Sequence, residues 1–169
     1  MKRSGKKMLG ADAVLLVVLL FADQFTKYLT VLKLKGQAAY VLIDGVLELQ
    51  YLENRGSAFG MLQGQKLLIL AVDMLFMAIL LLVLLKLPED HKYIKLHVLL
   101  IMVMAGGVGN MVDRMRLGYV VDFISFVLIH YPIFNVADIY IVVAVILLFI
   151  LFVFVYKEED LEWMNLSFK

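Results

Sequence analysis

Four long apolar stretches dominate the chain, and more polar segments separate them. They lie at about residues 11–29, 67–85, 94–112 and 136–156. A helical span of a bilayer needs about 20 mostly apolar residues, so each stretch is long enough to cross a membrane. Backbone polar groups cannot stay unpaired in hydrocarbon, and each stretch is therefore predicted to be an α-helix. The pattern predicts a single integral membrane domain over residues 1–169.

The longer connection, between the first two spans, has a different pattern. Tyr40–Ile43 and Val46–Tyr51 are rich in β-prone residues and flank the pair Asp44-Gly45. Two such runs around an Asp-Gly pair are typical of a β-hairpin. The predicted fold class is therefore an all-α membrane protein with four transmembrane helices and a small extracytoplasmic β-hairpin in the first outer loop.

The composition agrees with a membrane protein and excludes several classes of site. Of the 169 residues, 63% are hydrophobic and 18% are charged, against about 45–50% and roughly 25% in soluble domains. A net charge of +1 gives no reason to expect a nucleic-acid partner. The chain has no cysteine, which excludes thiol nucleophiles and thiolate metal sites. Its three histidines are scattered, so no zinc-protease motif is present.

The distribution of basic residues predicts the orientation of the spans. Basic residues precede the first span, fill the loop between the second and third, and follow the fourth, which places all three groups on one side. That side is predicted to be the cytoplasm, and both termini are expected there. The bias is moderate, because basic residues also lie in the outer loops. The residues on the predicted cytoplasmic side are Lys2, Arg3, Lys6, Lys7, Lys86, Lys92, Lys95 and Lys157.

The basic N-terminus and the apolar run behind it also fit a cleaved secretory signal peptide. Leu20-Phe21-Ala22, at the end of that run, lacks the small residue expected two positions before a cleavage site. We therefore interpret this segment as the first span.

Ionisable and amide side chains collect near the outer ends of the spans. Such groups are costly in hydrocarbon, so each is expected to have a structural or functional role. Asp122 and Asp138 are the most conspicuous, because apolar residues flank both. Any single member could instead be an interfacial anchor, and two adjacent members could form a plain ion pair. Two acids at one depth nevertheless predict a two-carboxylate site. The other members of the layer are Asp23, Lys27, Glu53, Asn54, Arg55, Asn110, Asp113, Arg114 and Asn135.

Asp73 lies deeper, about 9 Å below the outer end of the second span at the helical rise per residue. A structural role, as a helix–helix hydrogen bond or a neutral acid, is favoured over a proton relay. A small proton-coupled transporter would distribute acids along a path to both faces, whereas we identify only Asp73 as deep. A non-enzymatic assembly subunit is the other alternative, and it would tolerate loss of both Asp122 and Asp138.

Five short motifs resemble those of bacterial lipoprotein signal peptidases, the signal peptidase II family. They match the family patterns D-Q-x-x-K, N-x-G-x-A-F, G-G-x-x-G-N-x-x-D-R, V-V-D-F and F-N-x-A-D, in family order and from the first span to the fourth. The motifs are Asp23-Gln24-Phe25-Thr26-Lys27, Asn54-Arg55-Gly56-Ser57-Ala58-Phe59-Gly60, Gly106-Gly107-Val108-Gly109-Asn110-Met111-Val112-Asp113-Arg114, Val120-Val121-Asp122-Phe123 and Phe134-Asn135-Val136-Ala137-Asp138.

The resemblance implies an aspartyl endopeptidase of the bacterial cytoplasmic membrane that needs no metal or organic cofactor. Its substrate would be a prolipoprotein carrying a diacylglyceryl group on cysteine, cut just before that cysteine. Membrane lipid would be its other partner, and a monomer is expected. The resemblance makes Asp122 and Asp138 the catalytic pair. It assigns the residues that line or support the site as Asn54, Gly56, Asn110, Arg114, Asn135, Ala137, Asp23, Lys27 and Asp113.

The residues themselves favour water as the nucleophile. Cysteine is absent, and Ser57 has no histidine partner nearby in sequence and no Gly-x-Ser-x-Gly motif. Two carboxylates that share a site keep one proton between them near neutral pH, and the sequence leaves open which acid holds it. Arg114 is expected to hold Asp113 or a loop carbonyl. The hairpin and Phe59 are expected to cover the substrate.

Overall fold

The computed structural model describes residues 5–56 and 64–164. Side chains are described for residues 8–56 and 64–163. The predictions made for Ser57, Phe59, Lys2 and Arg3 fall outside the described residues.

The described chain contains four long helices, and each is long and apolar enough to cross a membrane. The prediction of four transmembrane helices is confirmed. The first and third helices extend farther into the polar layer than the predicted spans, because polar side chains that looked like span boundaries are paired with one another inside the bundle. The helices are α1 (Gly5–Leu34), α2 (Lys66–Lys86), α3 (Ile94–Leu117) and α4 (Val136–Phe154).

Helix α3 is the centre of the bundle. Half of its residues are buried, whereas the other three helices expose most of their apolar side chains on the outside of the bundle. Glycines let two neighbours approach its backbone closely. A Cβ atom added at Gly106 would lie 2.4 Å from the Ala137 carbonyl oxygen, and one added at Gly109 would lie 2.5 Å from Oδ2 of Asp23. Close backbone approach through small residues is typical of membrane helix packing.

A small sheet lies at one end of the bundle. Strands β1 (Tyr40–Ile43) and β2 (Leu47–Asn54) form the predicted hairpin, which is confirmed. A third strand, β3 (Val120–Phe126), pairs antiparallel with β2 and gives the order β1-β2-β3. The prediction missed this strand because it treated the connection between the third and fourth spans as a loop. An isolated hairpin is marginally stable, and a third strand stabilises it.

The sheet also positions the start of α4. The carbonyl oxygen of Phe134 accepts hydrogen bonds from the backbone N–H groups of Phe123 and Ile124, and the N–H of Phe134 donates to Ile124. The segment before α4 is thus held beside β3. We call this end of the bundle, where α1 and α3 finish and α2 and α4 begin, the sheet end.

The opposite end is closed by the C-terminal segment. A 3₁₀ helix, Glu158–Met164, follows α4 and packs near the loop between α2 and α3. Asp160 forms an ion pair with Lys92, and the ring of Tyr93 stacks on Tyr156. This end has its own apolar core, which is separate from the polar cluster at the sheet end.

Candidate active site

Two carboxylates meet at the sheet end, and one asparagine connects them. Asp122 lies in the middle of β3 and is buried, whereas Asp138 lies in the first turn of α4 and is half-buried. The side-chain amide nitrogen of Asn135 donates to Asp122 over 2.7 Å, and its backbone N–H donates to Asp138 over 3.0 Å. The strand and the helix therefore bring together two acids that are 16 positions apart in the chain.

Among the residues that the structure describes, Asp122 is held by two side-chain amides. One carboxylate oxygen accepts from Nδ2 of Asn54 at 2.9 Å and the other from Nδ2 of Asn135. The pKa of the Asp122 carboxyl is raised to about 6. Burial is the main cause and the charge of Asp138 adds to it, whereas the two amide hydrogen bonds and the charge of Lys27 act in the opposite direction. Asp122 can therefore hold or release a proton near neutral pH.

Asp138 is oriented by the beginning of its own helix. Asn135 is the N-cap of α4, and its Oδ1 accepts from the N–H of Asp138 at 3.1 Å. The Asp138 side chain accepts in return from the Asn135 N–H, which completes a capping box. Its other oxygen accepts from Nδ2 of Asn110 on α3, at 2.8 Å. An acid in the first turn is also favoured by the helix dipole.

A buried lysine lies behind this pair. Nζ of Lys27 is 3.0 Å from both Asp23 and Asp113 and donates to Oδ1 of Asn110 at 2.8 Å. All four side chains are at most 8% exposed. Removing such charges from water is costly unless they are paired and hydrogen-bonded, and here every one of them is. Asn110 thus separates the charge of Lys27 from the carboxylate of Asp138.

The two supporting acids hold the backbone next to each candidate catalytic residue. Asp23 accepts from the N–H of Ala137, which precedes Asp138, at 3.1 Å. Asp113 accepts from the N–H of Val121, which precedes Asp122, at 3.3 Å. Helices α1 and α3 therefore fix the positions of α4 and β3 through these two hydrogen bonds.

Gln24 is a member of the site that the residue assignments omitted. Its Nε2 donates to Asp23, to Asp113 and to the Gly109 carbonyl oxygen at 3.0–3.2 Å. The signal for it was present, because Gln24 follows Asp23 within the first motif.

Arg114 has partners other than the predicted Asp113. Its guanidinium donates to the carbonyl oxygen of Gly56 and to Oδ2 of Asp73 on α2, both at 3.2 Å. The expected bond to a loop carbonyl is present, whereas Asp113 pairs with Lys27 instead. Gly56 in turn donates its N–H to Oδ1 of Asn54 at 3.0 Å. The structure thus brings all eleven residues of the predicted site into one connected cluster, together with Gln24 and Asp73.

A second buried polar pair, which the sequence analysis did not identify, lies at the opposite end of the bundle. Oδ2 of Asp12 on α1 is 2.7 Å from Nδ1 of His97 on α3, and both residues are buried. Apolar residues alone occupy positions 13–22 of α1 and 98–105 of α3, between this pair and the sheet-end cluster. Two separate polar sites with an apolar layer between them do not favour the transporter alternative.

An apolar groove opens beside the carboxylates. Its volume is about 460 Å³, and Asp138 lies in its wall among side chains of β3, α4 and the segment between them, including Phe126, Tyr131, Phe134 and Val142. An extended apolar ligand in this groove would lie against one of the two acids. Within residues 5–56 and 64–164, no three His, Asp or Glu side chains are grouped so that they could hold a metal ion.

Known proteins share both the sequence and the fold of this chain. A family profile described as signal peptidase (SPase) II matches residues 15–154. A lipoprotein signal peptidase of Caldanaerobacter subterraneus subsp. tengcongensis is 43% identical over 142 residues, which is 83% of this chain and 94% of the relative. One of Streptococcus thermophilus is 38% identical over 150 residues, covering 89% and 95%.

Two solved structures described as bacterial membrane enzymes also match. Both are 27% identical to this chain, with TM-scores of 0.73 and 0.72, and they cover 87% and 88% of it and 95% and 93% of their own chains. The protein is thus a multi-pass bacterial membrane protein with the fold of these enzymes. Because the family profile spans most of the chain and the relatives match over nearly their whole length, the chain belongs to the signal peptidase II family of aspartic peptidases.

Proposed function

We propose that this protein removes the signal peptide from diacylglyceryl-modified prolipoproteins, and that Asp122 and Asp138 activate the water that cleaves the peptide bond just before the lipidated cysteine. The observation that carries this proposal is the pair of carboxylates joined through Asn135, one of them lining an apolar groove. The pair supplies acid–base chemistry, and the groove supplies a surface for an apolar substrate.

The mechanism divides the work between one ionised and one protonated carboxyl group. The ionised member takes a proton from water, and the oxygen of that water attacks the carbonyl carbon of the scissile bond. The protonated member hydrogen-bonds the carbonyl oxygen as negative charge develops there. A proton then passes to the leaving amine, and the peptide bond breaks. The same steps can proceed with the starting proton on either Asp122 or Asp138.

The uncharged hydrogen-bond partners of the pair support this division. The two acids contact the amides of Asn54, Asn110 and Asn135 and a backbone N–H. A cation in direct contact would favour ionisation of both acids. Lys27 is instead neutralised by Asp23 and Asp113. Amide partners thus orient the carboxylates and still allow one of them to remain protonated.

We further propose that the sheet end faces the extracytoplasmic side, with both termini in the cytoplasm. The opposite end carries Lys86, Lys92, Lys95 and Lys157, the basic residues expected on the cytoplasmic side. In this orientation the carboxylates lie near the outer interface. A signal-peptide helix within the bilayer would reach this level at its outer end, where the lipidated cysteine follows.

Purified protein in lipid, supplied with a synthetic prolipoprotein peptide, tests the activity. We expect cleavage of the peptide that carries a diacylglyceryl cysteine, with a single new N-terminus at that cysteine identified by mass spectrometry. The matched control is the same peptide without the diacylglyceryl group, which should be cut poorly because it cannot place its cysteine at the membrane interface. Cleavage at another bond, or equal cleavage of both peptides, would contradict the proposal.

A further inference from the structure

Asp73 is an acid that the mechanism above does not use. It lies on α2, seven positions after the helix begins at Lys66, within a stretch that is otherwise apolar from Leu67 to Leu85. An acid at such a depth requires a partner and a reason. Its partner is Arg114, whose Nη1 is 3.2 Å from Oδ2 of Asp73. The side chain of Arg114 is 12% exposed and that of Asp73 is 27% exposed. Partial burial strengthens the Coulomb attraction within this pair and also adds a desolvation cost.

The second arm of the same guanidinium binds the segment that follows β2. Nη2 of Arg114 donates to the carbonyl oxygen of Gly56, which is buried. A guanidinium has its donors in a rigid planar fork, so holding one arm on Asp73 fixes the direction of the other. Asp73 therefore determines where Arg114 holds the residues that follow β2.

Gly56 then controls the amide that touches Asp122. The backbone N–H of Gly56 donates to Oδ1 of Asn54, and that bond leaves Nδ2 of Asn54 facing Asp122. Without a donor at Oδ1, the amide could rotate and present an oxygen to the carboxylate, which would repel it. The contacts form one continuous path, in which each group fixes the orientation of the next.

From this path, and resting on the proposed function, we infer that Asp73 is a positioning residue for peptide cleavage, which acts on Asp122 through Arg114, Gly56 and Asn54. Asp73 touches neither carboxylate of the pair, and its effect is on the geometry of Asn54. The pair joins α2, a helix with no other described side-chain hydrogen bond to the site, to the catalytic cluster.

The test compares Asp73→Asn and the smaller Asp73→Ser with the unchanged protein, using the diacylated peptide. We expect kcat to fall about tenfold, as is common when a group that orients a catalytic residue is lost. KM should change by less than about twofold, because the groove and the membrane still bind the substrate. Asp73→Glu, which keeps the charge, should recover most of the rate. In an Arg114→Lys background, Asp73→Asn should lower kcat little further, because the planar guanidinium that Asp73 orients is already absent.

The control is Glu158→Gln, which removes an exposed acid at the start of the 3₁₀ helix at the opposite end of the bundle and should leave kcat unchanged. A purely structural role would lower the melting temperature and leave kcat per folded molecule intact, and this result would overturn the inference. Equal rates for Asp73→Glu and Asp73→Asn would overturn it as well. If neither the unchanged protein nor Glu158→Gln cleaves the peptide, the proposed function itself fails, which is a distinguishable result.

Discussion

Three asparagines in the site share one hydrogen-bonding arrangement. In each, the side-chain oxygen is occupied by a fixed donor, so the nitrogen is directed to a carboxylate. Asn54 accepts from the N–H of Gly56, Asn110 accepts from Lys27, and Asn135 accepts from the N–H of Asp138. The oxygen of an amide accepts hydrogen bonds and its nitrogen donates them. Because a donor already binds the oxygen, the side chain cannot flip, and its nitrogen faces the carboxylate. Such amides would suit the proposed acid–base chemistry, because they orient the carboxylates without adding charge.

The first prediction concerns the carboxylates. Asp122→Asn and Asp138→Asn keep size and polarity but remove the exchangeable proton, so each should lower kcat by roughly 10²–10⁴-fold. Members of one catalytic unit are not additive, and the double variant should be little worse than either single one. Rates measured with the diacylated peptide check this. Near-normal turnover of Asp138→Asn would show that the pair is wrongly assigned.

A second prediction follows from the donation by Asn54. That hydrogen bond favours the ionised form of Asp122, whose pKa is about 6. Asn54→Ala removes it, so the proton binds more tightly and the pKa of Asp122 rises. The limb of the kcat/KM profile that belongs to Asp122 should move to higher pH. Gln50→Ala, on the same strand and without a described side-chain hydrogen bond, is the control and should keep the original profile. A shift to lower pH in Asn54→Ala would refute the assignment of that limb.

At the scale of elements, α3 is the central helix against which the other elements pack. Its glycines admit the backbone of α4 and the side chain of Asp23. Its polar residues form hydrogen bonds with α1, α2, β3, α4 and the segment that follows β2. Close packing and the site therefore depend on the same helix face.

The third prediction tests this dependence with Gly109→Ala. The new Cβ would lie 2.5 Å from the Asp23 carboxylate, which is fully buried and holds both Lys27 and the N–H of Ala137. Overpacking of this kind costs about 1–3 kcal/mol, and the displaced Asp23 should release α4 and lower kcat at least tenfold. Thermal unfolding and cleavage rates measure the two effects.

Gly107→Ala is the matched control for that variant. Its Cβ would meet the far end of the Met77 side chain, with the terminal methyl group at 2.5 Å and the sulfur at 3.1 Å, and a methionine side chain can move. It should keep kcat within a few-fold of the unchanged protein. Equal losses in the Gly107 and Gly109 variants would show that α3 tolerates no added volume at either position, and would contradict a specific role for the contact with Asp23.

At the scale of the whole molecule, polar chemistry is divided between two ends. The sheet end holds the carboxylates and their network, and the opposite end holds the pairs Asp12–His97 and Lys92–Asp160. Between them the bundle is apolar and exposes large side chains such as Val17, Phe21 and Phe149. This layering is what a bilayer requires of a spanning protein.

The fourth prediction concerns the direction in which the molecule crosses the membrane. The chain has no cysteine, so single cysteines can report exposure without background. Gln37→Cys, at the sheet end, should react with an impermeant maleimide in intact cells. Glu159→Cys, exposed at the opposite end, should react only after the membrane is opened. The reverse labelling pattern would place the carboxylates on the cytoplasmic side and contradict the orientation.

Sequence by itself determined the four spans, the hairpin and the residues that form the cluster. Spans and hairpin follow from short-range patterns, since hydrophobic length and an Asp-Gly turn act within a segment. The eleven site residues were found because they occur in motifs, and a motif does not require knowledge of the partner that each residue contacts. Gln24 could have been assigned to the site for the same reason, because it lies in the first motif.

Only the tertiary structure decided which residues pair with which. Strand β3 needed the edge of β2, about 70 positions earlier, and the partner of Arg114 proved to be Asp73 of another helix. Asp12 and His97 are 85 positions apart and form a hydrogen bond, although no sequence pattern near either residue predicted this contact. Such contacts depend on how helices pack around α3, and packing is set by the shapes of many side chains at once. A pattern along one segment carries no information about that, and the physical role of each polar residue therefore emerged only from the fold.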